Sequence, residues 1–202
     1  MSTHTISVLV ENKPGVLVRV AGLFSRRGFN IESLAVGPTE REEISRITIL
    51  VSVEGDALEQ VTKQLNKLVN TLKVVELEEA QAVQRELLLV KVSIDATTRL
   101  DVLRVVDTFG GMVADDGPDA ATIELSGHPT TLDAMLAALE PFGIREMVQS
   151  GMVALGRGPR SMIQPRPQVG RPARSPFEPS SSGRETQHSK RTIPMRGGTH
   201  VR

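Results

Sequence analysis

Residues 12–17 combine residue types that favour the binding of a small anion at the start of a helix. Asn12 is a good helix N-cap, and Pro14 suits a first helical turn because its missing N–H is not needed there. Gly15 removes a side chain from the surface of the turn. The remaining backbone N–H groups of residues 14–17 are therefore predicted to point outward at the positive end of the helix dipole. That arrangement suits an anion such as the carboxylate of an amino acid.

An ordinary strand-to-helix turn is the alternative interpretation, because Asn, Pro and Gly also occur in turns without any ligand. The rest of the chain shows no motif typical of a metal site, a catalytic nucleophile or a nucleotide-binding loop. No two of the four histidines have metal-ligand spacing, and the acidic turn at 115–119 is typical of a solvated loop. No nucleophile with its base and no P-loop or dinucleotide motif is found. The sequence therefore favours a binding protein over an enzyme.

The composition excludes several classes of protein. The 202 residues include no Cys, which rules out disulfides and thiolate metal sites and suits a reducing cytoplasm. The absence of Trp and Tyr, with only five Phe, argues against stacking on nucleic acid. No apolar run reaches the roughly 18–20 residues of a membrane span, and the N-terminus lacks the features of a signal peptide. We therefore expect a cytoplasmic protein that neither spans a membrane nor binds nucleic acid.

The balanced net charge conceals a basic tail. The chain has 24 basic and 24 acidic residues, but residues 163–202 hold eight of the basic and only two of the acidic ones. This tail is rich in Pro, Ser, Arg and Gly and has too few apolar residues to offset the entropy of ordering, so 163–202 is predicted to be disordered. A basic tail can contact nucleic acid or an acidic partner, but a solvated tail with no partner is the favoured interpretation.

The order of predicted elements is βαββαβ over residues 4–78 and again over 84–158, with a hinge near 78–85. Residues 98–101 are predicted to be the capping box of the first helix in the second unit. The sequence thus predicts an α+β fold of two tandem ferredoxin-like units. Leu9 and Leu50 fall on the strand face opposite the alternating apolar residues. Either that face of the sheet is covered or its edge is paired, as in a dimer, or these two side chains are simply exposed.

Several long stretches resemble the small regulatory subunit of acetolactate synthase, also called acetohydroxyacid synthase. They are residues 6–17, 22–34, 45–48, 59–68, 85–91 and 149–157, so the resemblance covers about residues 4–160. It implies an ACT domain at 4–78 that forms a homodimer and binds valine, or another branched-chain amino acid, as feedback inhibitor. It implies a C-terminal ferredoxin-like domain of the small subunit at 84–158.

The resemblance also implies a partner and a division of labour. A separate large catalytic subunit would carry the thiamine diphosphate, Mg²⁺ and FAD, and this non-catalytic chain would activate it without any cofactor of its own. By position, Asn12, Gly15 and Asn30 match the family's effector residues. The turn would bind the carboxylate, Asn30 or Ile31 would accept from the ammonium, and Val16 or Val36 would enclose the aliphatic side chain. The predicted effector site comprises Asn12, Lys13, Pro14, Gly15, Val16, Leu17, Asn30 and Ile31.

One alternative comes from a different class of protein, because ACT units serve many functions. The chain would then be a stand-alone ACT-type amino-acid sensor or a transcriptional co-regulator that uses its basic tail on nucleic acid. This alternative predicts salt-dependent DNA binding that is lost when 163–202 is deleted.

Overall fold

The N-terminal half is a four-stranded antiparallel sheet with two helices on one face. The computed structural model describes residues 2–54 and 56–163, so the predicted disordered tail lies outside the described residues except for Ile163. The elements of this half are β1 (Ser2–Glu11), α1 (Val16–Arg26), β2 (Ile31–Pro38), β3 (Ile44–Val53), α2 (Asp56–Asn66) and β4 (Thr71–Leu77). Their strands lie in the order β2-β3-β1-β4, which leaves β2 and β4 at the edges.

The core of this half follows from the alternation in β1 and β3. Because successive side chains of a strand point to opposite faces, the apolar residues at alternate positions all face the helices. The buried set comprises Ile6, Val8 and Val10 of β1, Ile47, Ile49, Val51 and Val53 of β3, Val16, Val20, Leu23 and Phe24 of α1, and Val61 and Leu65 of α2. The helical spacing of the α1 and α2 residues puts each apolar stripe on the sheet.

The C-terminal half repeats the plan. It contains β5 (Ala82–Ser93), α3 (Arg99–Phe109), β6 (Met112–Asp116), β7 (Ala120–Gly127), α4 (Pro129–Leu139), β8 (Ile144–Gln149) and β9 (Val153–Gly156). The strand order is β6-β7-β5-β8, the same order as in the first half, and β9 pairs with β5 outside that path. The predicted α+β fold of two tandem ferredoxin-like units is confirmed.

The predicted hinge is wrong, because this segment is structured and packed. Residues 79–81 form a single 3₁₀ turn, and residues 82–85 are the first part of β5, paired with β9. This pair, here called the β5–β9 ribbon, lies on the face of the first sheet that the helices leave open. Gln84 Nε2 donates to Thr5 Oγ1 at 3.2 Å, and the N–H of Met152 donates to Ser33 Oγ at 2.7 Å. The two halves are therefore joined by a packed layer.

The face that carries Leu9 and Leu50 is covered by the chain itself. Leu9 is buried against Ile44 and Ile163, and Leu50 is half-buried. Ile163, assigned from sequence to the tail, is thus part of the packed unit. No partner is needed to explain the apolar residues on this face, because the β5–β9 ribbon and the segment after it do the covering.

The start of α3 corrects the predicted capping box. Asp95, not Thr98, opens the box: its Oδ1 accepts from the N–H groups of Thr97 and Thr98 at 2.7 and 2.8 Å. Thr98 Oγ1 in return accepts from the Asp95 N–H at 3.0 Å. Asp101 pairs with Arg104 instead. The hydroxyl and amide donors of Thr97 and Thr98 lower the pKa of Asp95 to about 2, because they stabilise the ionised form.

We expect the Asp95→Asn variant to melt at a lower temperature than the wild type at neutral pH, because a carboxylate accepts these bonds more strongly than an amide. The pKa of Asp95 is depressed from 3.8, so its contribution is complete above about pH 4 and is lost as the pH falls through 2. Thermal melts of both proteins should show a difference that is constant above about pH 4 and shrinks toward pH 2. Asp107→Asn, on an exposed position of α3, is the control. A difference that widens on acidification would contradict this assignment.

Candidate functional site

The turn between β1 and α1 is exposed and opens onto the start of the helix. Gly15 has φ +80°, and a Cβ at this position would meet nothing within 4 Å. α1 begins at Val16, so Gly15 occupies the N-cap position and the prediction of Asn12 as N-cap is wrong. Asn12 instead donates from Nδ2 to the Glu42 carbonyl at 3.0 Å. The left-handed conformation of Gly15 turns the chain into the helix three residues later than the sequence pattern indicated.

Three backbone donors are available at this helix start. The Val16 N–H bonds to the Lys13 carbonyl at 3.4 Å. The N–H groups of Gly15, Leu17 and Val18 have no acceptor among the described residues. The first turn of α1 contains no acidic residue, so no side chain of the helix itself neutralises its positive end. An anion placed here would meet unpaired donors and the favourable end of the dipole.

Charged side chains around the turn also favour the binding of an anion. Lys13 is exposed and lies 3.1 Å from the Glu11 carboxylate. The pKa of Glu11 is lowered, first by the hydrogen bond from Asn70 and then by Lys13, so this carboxylate is ionised and already satisfied by protein donors. Arg19 lies in the first turn of α1 and donates to Asn70. The two cations and the one compensated carboxylate leave the turn suited to a negatively charged group.

Two exposed aliphatic side chains lie beside the turn, and one of them, Leu17, belongs to the predicted site. Val16 is buried in the core, so its side chain is not available to a ligand. Leu17 and Val18 are 41% and 74% exposed at the helix start. Val18 was missed by sequence reasoning. Its position in the sequence could have identified it, because Val18 is apolar but does not share the helical spacing of the buried α1 residues. These two side chains form an exposed aliphatic surface that is suited to contact with a branched aliphatic group.

A single chain keeps the other predicted site residues away from the turn. Ile31 pairs with Val51, which pairs with His4 near the start of β1, whereas the turn follows Glu11 at its end. This separation is about seven residues of strand, or roughly 23 Å. Asn30 is exposed, and Ile31 packs partly into the core. The structure therefore brings together residues 12–17 but places Asn30 and Ile31 at the opposite end of the sheet.

The edge formed by β2 lies next to an apolar groove. β2 is an outer strand, and its last residue, Pro38, pairs with Ser45, which in turn pairs with Val10 near the turn. A groove of about 850 Å³ runs between this edge and the β5–β9 ribbon. Its lining includes Val36, Val83, Val153, Leu155, Arg46 and Arg85. An unpaired strand edge beside an apolar groove is suited to pairing with another strand.

The described residues contain no group of three His, Asp or Glu side chains that could hold a metal ion. His4 lies 2.8 Å from a carboxylate oxygen of Glu76, and His128 lies 3.4 Å from a carboxylate oxygen of Glu79. Each histidine therefore pairs with one surface carboxylate of its own. In the part of the chain that the structure describes, no helix is both long and apolar enough to cross a bilayer.

Two family models match the chain in tandem. One, described as the AHAS small subunit-like ACT domain, matches residues 6–73. The other, described as the small subunit of acetolactate synthase, matches residues 85–158. The chain is 59% identical over 160 residues to the acetolactate synthase small subunit of Mycolicibacterium smegmatis, covering 79% of this chain and 94% of that relative.

A second relative and a solved structure are similar over the same share of the chain. The chain is 48% identical over 161 residues to the probable acetolactate synthase small subunit of Methanothermobacter thermautotrophicus, covering 79% of this chain and 96% of that relative. The crystal structure of the small subunit from Thermotoga maritima superimposes with a TM-score of 0.74 at 36% identity, covering 79% of this chain and all of that one.

Proposed function

The chain belongs to the family of acetolactate synthase small subunits, and from this premise we propose that its N-terminal half senses valine, or another branched-chain amino acid, as a feedback inhibitor. Membership of this family makes the chain a regulatory subunit, with a catalytic subunit as its partner. The stand-alone sensor or transcriptional co-regulator is not supported. The observation that carries the proposal is the open helix start, where Gly15, Leu17 and Val18 present free N–H groups.

The effector's two charged groups and its side chain each have a place in this proposal. The carboxylate binds the N–H groups of Gly15, Leu17 and Val18, with the Lys13 ammonium nearby. The branched aliphatic group packs on the exposed side chains of Leu17 and Val18. The ammonium needs an acceptor, for which Asn30 or the Ile31 carbonyl is proposed. These last two groups must come from a second chain, because one chain holds them roughly 23 Å from the turn.

A homodimer through β2 supplies that second chain. Antiparallel pairing of two β2 strands about a twofold axis puts the Ile31 end of one strand beside the Pro38 end of the other. The Pro38 end lies next to the turn, so each effector site would combine the turn of one copy with Asn30 of its partner. No strand of the described residues pairs with the outer edge of β2, and this edge and the apolar groove beside it support the interface, since Val36 at that edge is 49% exposed.

The catalytic subunit completes the proposal. Thiamine diphosphate, Mg²⁺ and FAD are assigned to that subunit, and the cytoplasm remains our prediction for the location of both chains. Effector binding would change activity only if it favours one arrangement of the dimer over another, because a ligand shifts an equilibrium by its difference in affinity for the two states.

Two measurements on the purified chain test the proposed function. Isothermal titration calorimetry with L-valine, L-leucine and L-isoleucine should give saturable heat for at least one, and D-valine is the matched control for stereospecific binding. Affinity capture from native lysate should recover a thiamine-diphosphate enzyme of about 60 kDa, the size that the family resemblance implies for the partner. Absence of saturable heat with all three L-amino acids would refute the effector assignment. Failure to recover such an enzyme would refute the partner assignment.

A further inference from the structure

Asn70 connects the two sides of the turn that carries the amide donors. Glu11 is the last residue of β1 before the turn, and Arg19 lies in the first turn of α1 after it. Asn70, between α2 and β4, donates from Nδ2 to Glu11 Oε2 and accepts at Oδ1 from Arg19 Nη1, both at 2.5 Å. Its backbone carbonyl also accepts from the Glu11 N–H at 2.9 Å. The three side chains are here called the Asn70 clamp.

The chemistry of the clamp requires a carboxamide at position 70. A carboxylate partner needs a donor, and a guanidinium partner needs an acceptor, and the Asn side chain presents one of each at fixed separation. Aspartate would offer acceptors to both partners and would face the Glu11 carboxylate with a like charge. An aliphatic residue would offer neither group. Asn70 is half-buried, so its bond to Glu11 is partly shielded from water and holds its geometry better than a fully exposed contact, whereas its bond from Arg19 is exposed.

We propose that Asn70 is a positioning residue for the effector site, which holds the N–H groups of Gly15, Leu17 and Val18 in one arrangement by tying the strand before the turn to the helix after it. This inference rests on the proposed function, because those N–H groups are the proposed carboxylate donors. Asn70 itself contacts no ligand in this proposal. Its effect on affinity comes from preorganisation, since donors that are already in place need not be ordered when the effector binds.

The test compares three variants of the full chain. Asn70→Asp keeps the shape and destroys the donor to Glu11. Asn66→Asp is the matched control, because Asn66 lies exposed at the end of α2 and bonds only to the Thr62 carbonyl of its own helix. The double variant Glu11→Gln with Asn70→Asp exchanges donor and acceptor, so that a Gln amide donates to an Asp carboxylate that still pairs with Arg19.

Three quantities are measured for each protein: the valine affinity by calorimetry, the ¹⁵N relaxation order parameters of residues 12–18 without effector, and the melting temperature. We expect Asn70→Asp to weaken valine binding by about tenfold and to lower the order parameters of the turn. Asn66→Asp should change neither. The double variant should return the affinity to within about threefold of the wild type, which a loss of general stability would not explain.

The outcomes separate this inference from the proposed function. Wild-type affinity and unchanged order parameters in Asn70→Asp would overturn the clamp. Equal weakening in Asn66→Asp, or no recovery in the double variant, would also overturn it. If the wild type binds no branched-chain amino acid, the proposed function fails, and the order parameters alone decide the clamp. Order parameters of the turn that fall in Asn70→Asp and recover in the double variant then support the clamp. Order parameters that do not change in Asn70→Asp overturn the clamp.

Discussion

Replacing Gly15 with aspartate is expected to weaken valine binding by about a hundredfold, which corresponds to roughly 2.7 kcal/mol. The new carboxylate would lie where we propose that the effector's carboxylate binds. Two like charges about 4 Å apart near a protein surface repel by roughly 4 kcal/mol, and the openness of the turn reduces that value. The space itself is available, since a Cβ at Gly15 meets nothing within 4 Å. Calorimetry with valine measures the effect directly.

The chain offers a matched control for this variant. Gly110 follows α3 in the C-terminal half, also has positive φ, at +70°, and likewise has open space at its Cβ position. Gly110→Asp therefore introduces the same charge at a similar backbone conformation, away from both the turn and Asn30, and should bind valine as the wild type does. Gly15→Asn separates charge from shape, because asparagine tolerates the left-handed conformation and carries no charge. Unchanged valine affinity in Gly15→Asp would refute the placement of the carboxylate.

Mixing two inactive variants is expected to restore valine binding. Gly15→Asp removes carboxylate binding at the turn, and Asn30→Ala removes the Asn30 side chain, one of the two acceptors proposed for the ammonium. If Asn30→Ala alone binds valine as the wild type does, the Ile31 carbonyl is the acceptor and this variant is not used in the mixture. In the proposed dimer, each site takes its turn from one copy and its Asn30 from the other. One site of a mixed dimer therefore receives both defects and the other receives none. After free exchange of subunits in a one-to-one mixture, half of the dimers are mixed, so about a quarter of all sites should bind valine. Titration at a valine concentration that fills only intact sites measures this fraction.

The control for mixing pairs Gly15→Asp with the double variant Gly15→Asp and Asn30→Ala. No mixed dimer of that pair contains an intact site, so no binding should return. A site formed within one chain would give no recovery in either mixture, because every copy would keep its own defect. Recovery only in the first mixture would therefore require a shared site. Its absence there would refute the twofold arrangement through β2.

The repeated order of strands and helices could be predicted because it depends on local patterns. Alternation at Ile6, Val8 and Val10 indicates a strand with one apolar face, and the helical spacing that ends at Phe24 indicates a helix that packs on it. Burial of those same residues in the structure follows from the periodicity alone. The glycine-containing turn was equally visible, since Gly15 stands where a strand pattern changes to a helical one.

The sequence did not predict the structure correctly where a residue's environment depends on residues distant in the chain or on the conformation of a neighbouring residue. Residues 82–85 read as a hinge because their pairing partner, β9, lies about seventy residues away. Whether Leu9 lies on a covered face or is exposed could not be decided from the sequence, because the segment that covers it, at Ile163, follows the whole second unit. The position of Asn12 at the helix start was misjudged because the conformation of Gly15, and not the identity of Asn12, decides where α1 begins.

The sequence by itself determined that this chain has two ferredoxin-like units, no thiolate chemistry, and a turn suited to an anion, because periodicity and residue type act over a few neighbouring residues. Only the tertiary structure decided which donors at that turn are free, that Asn70 bridges its two sides, and that Asn30 lies at the far end of the same sheet. These facts depend on strand order and register, which set the distances between residues far apart in the chain. The carboxylate donors and the Asn30 acceptor therefore meet, in our proposal, only where two copies pair.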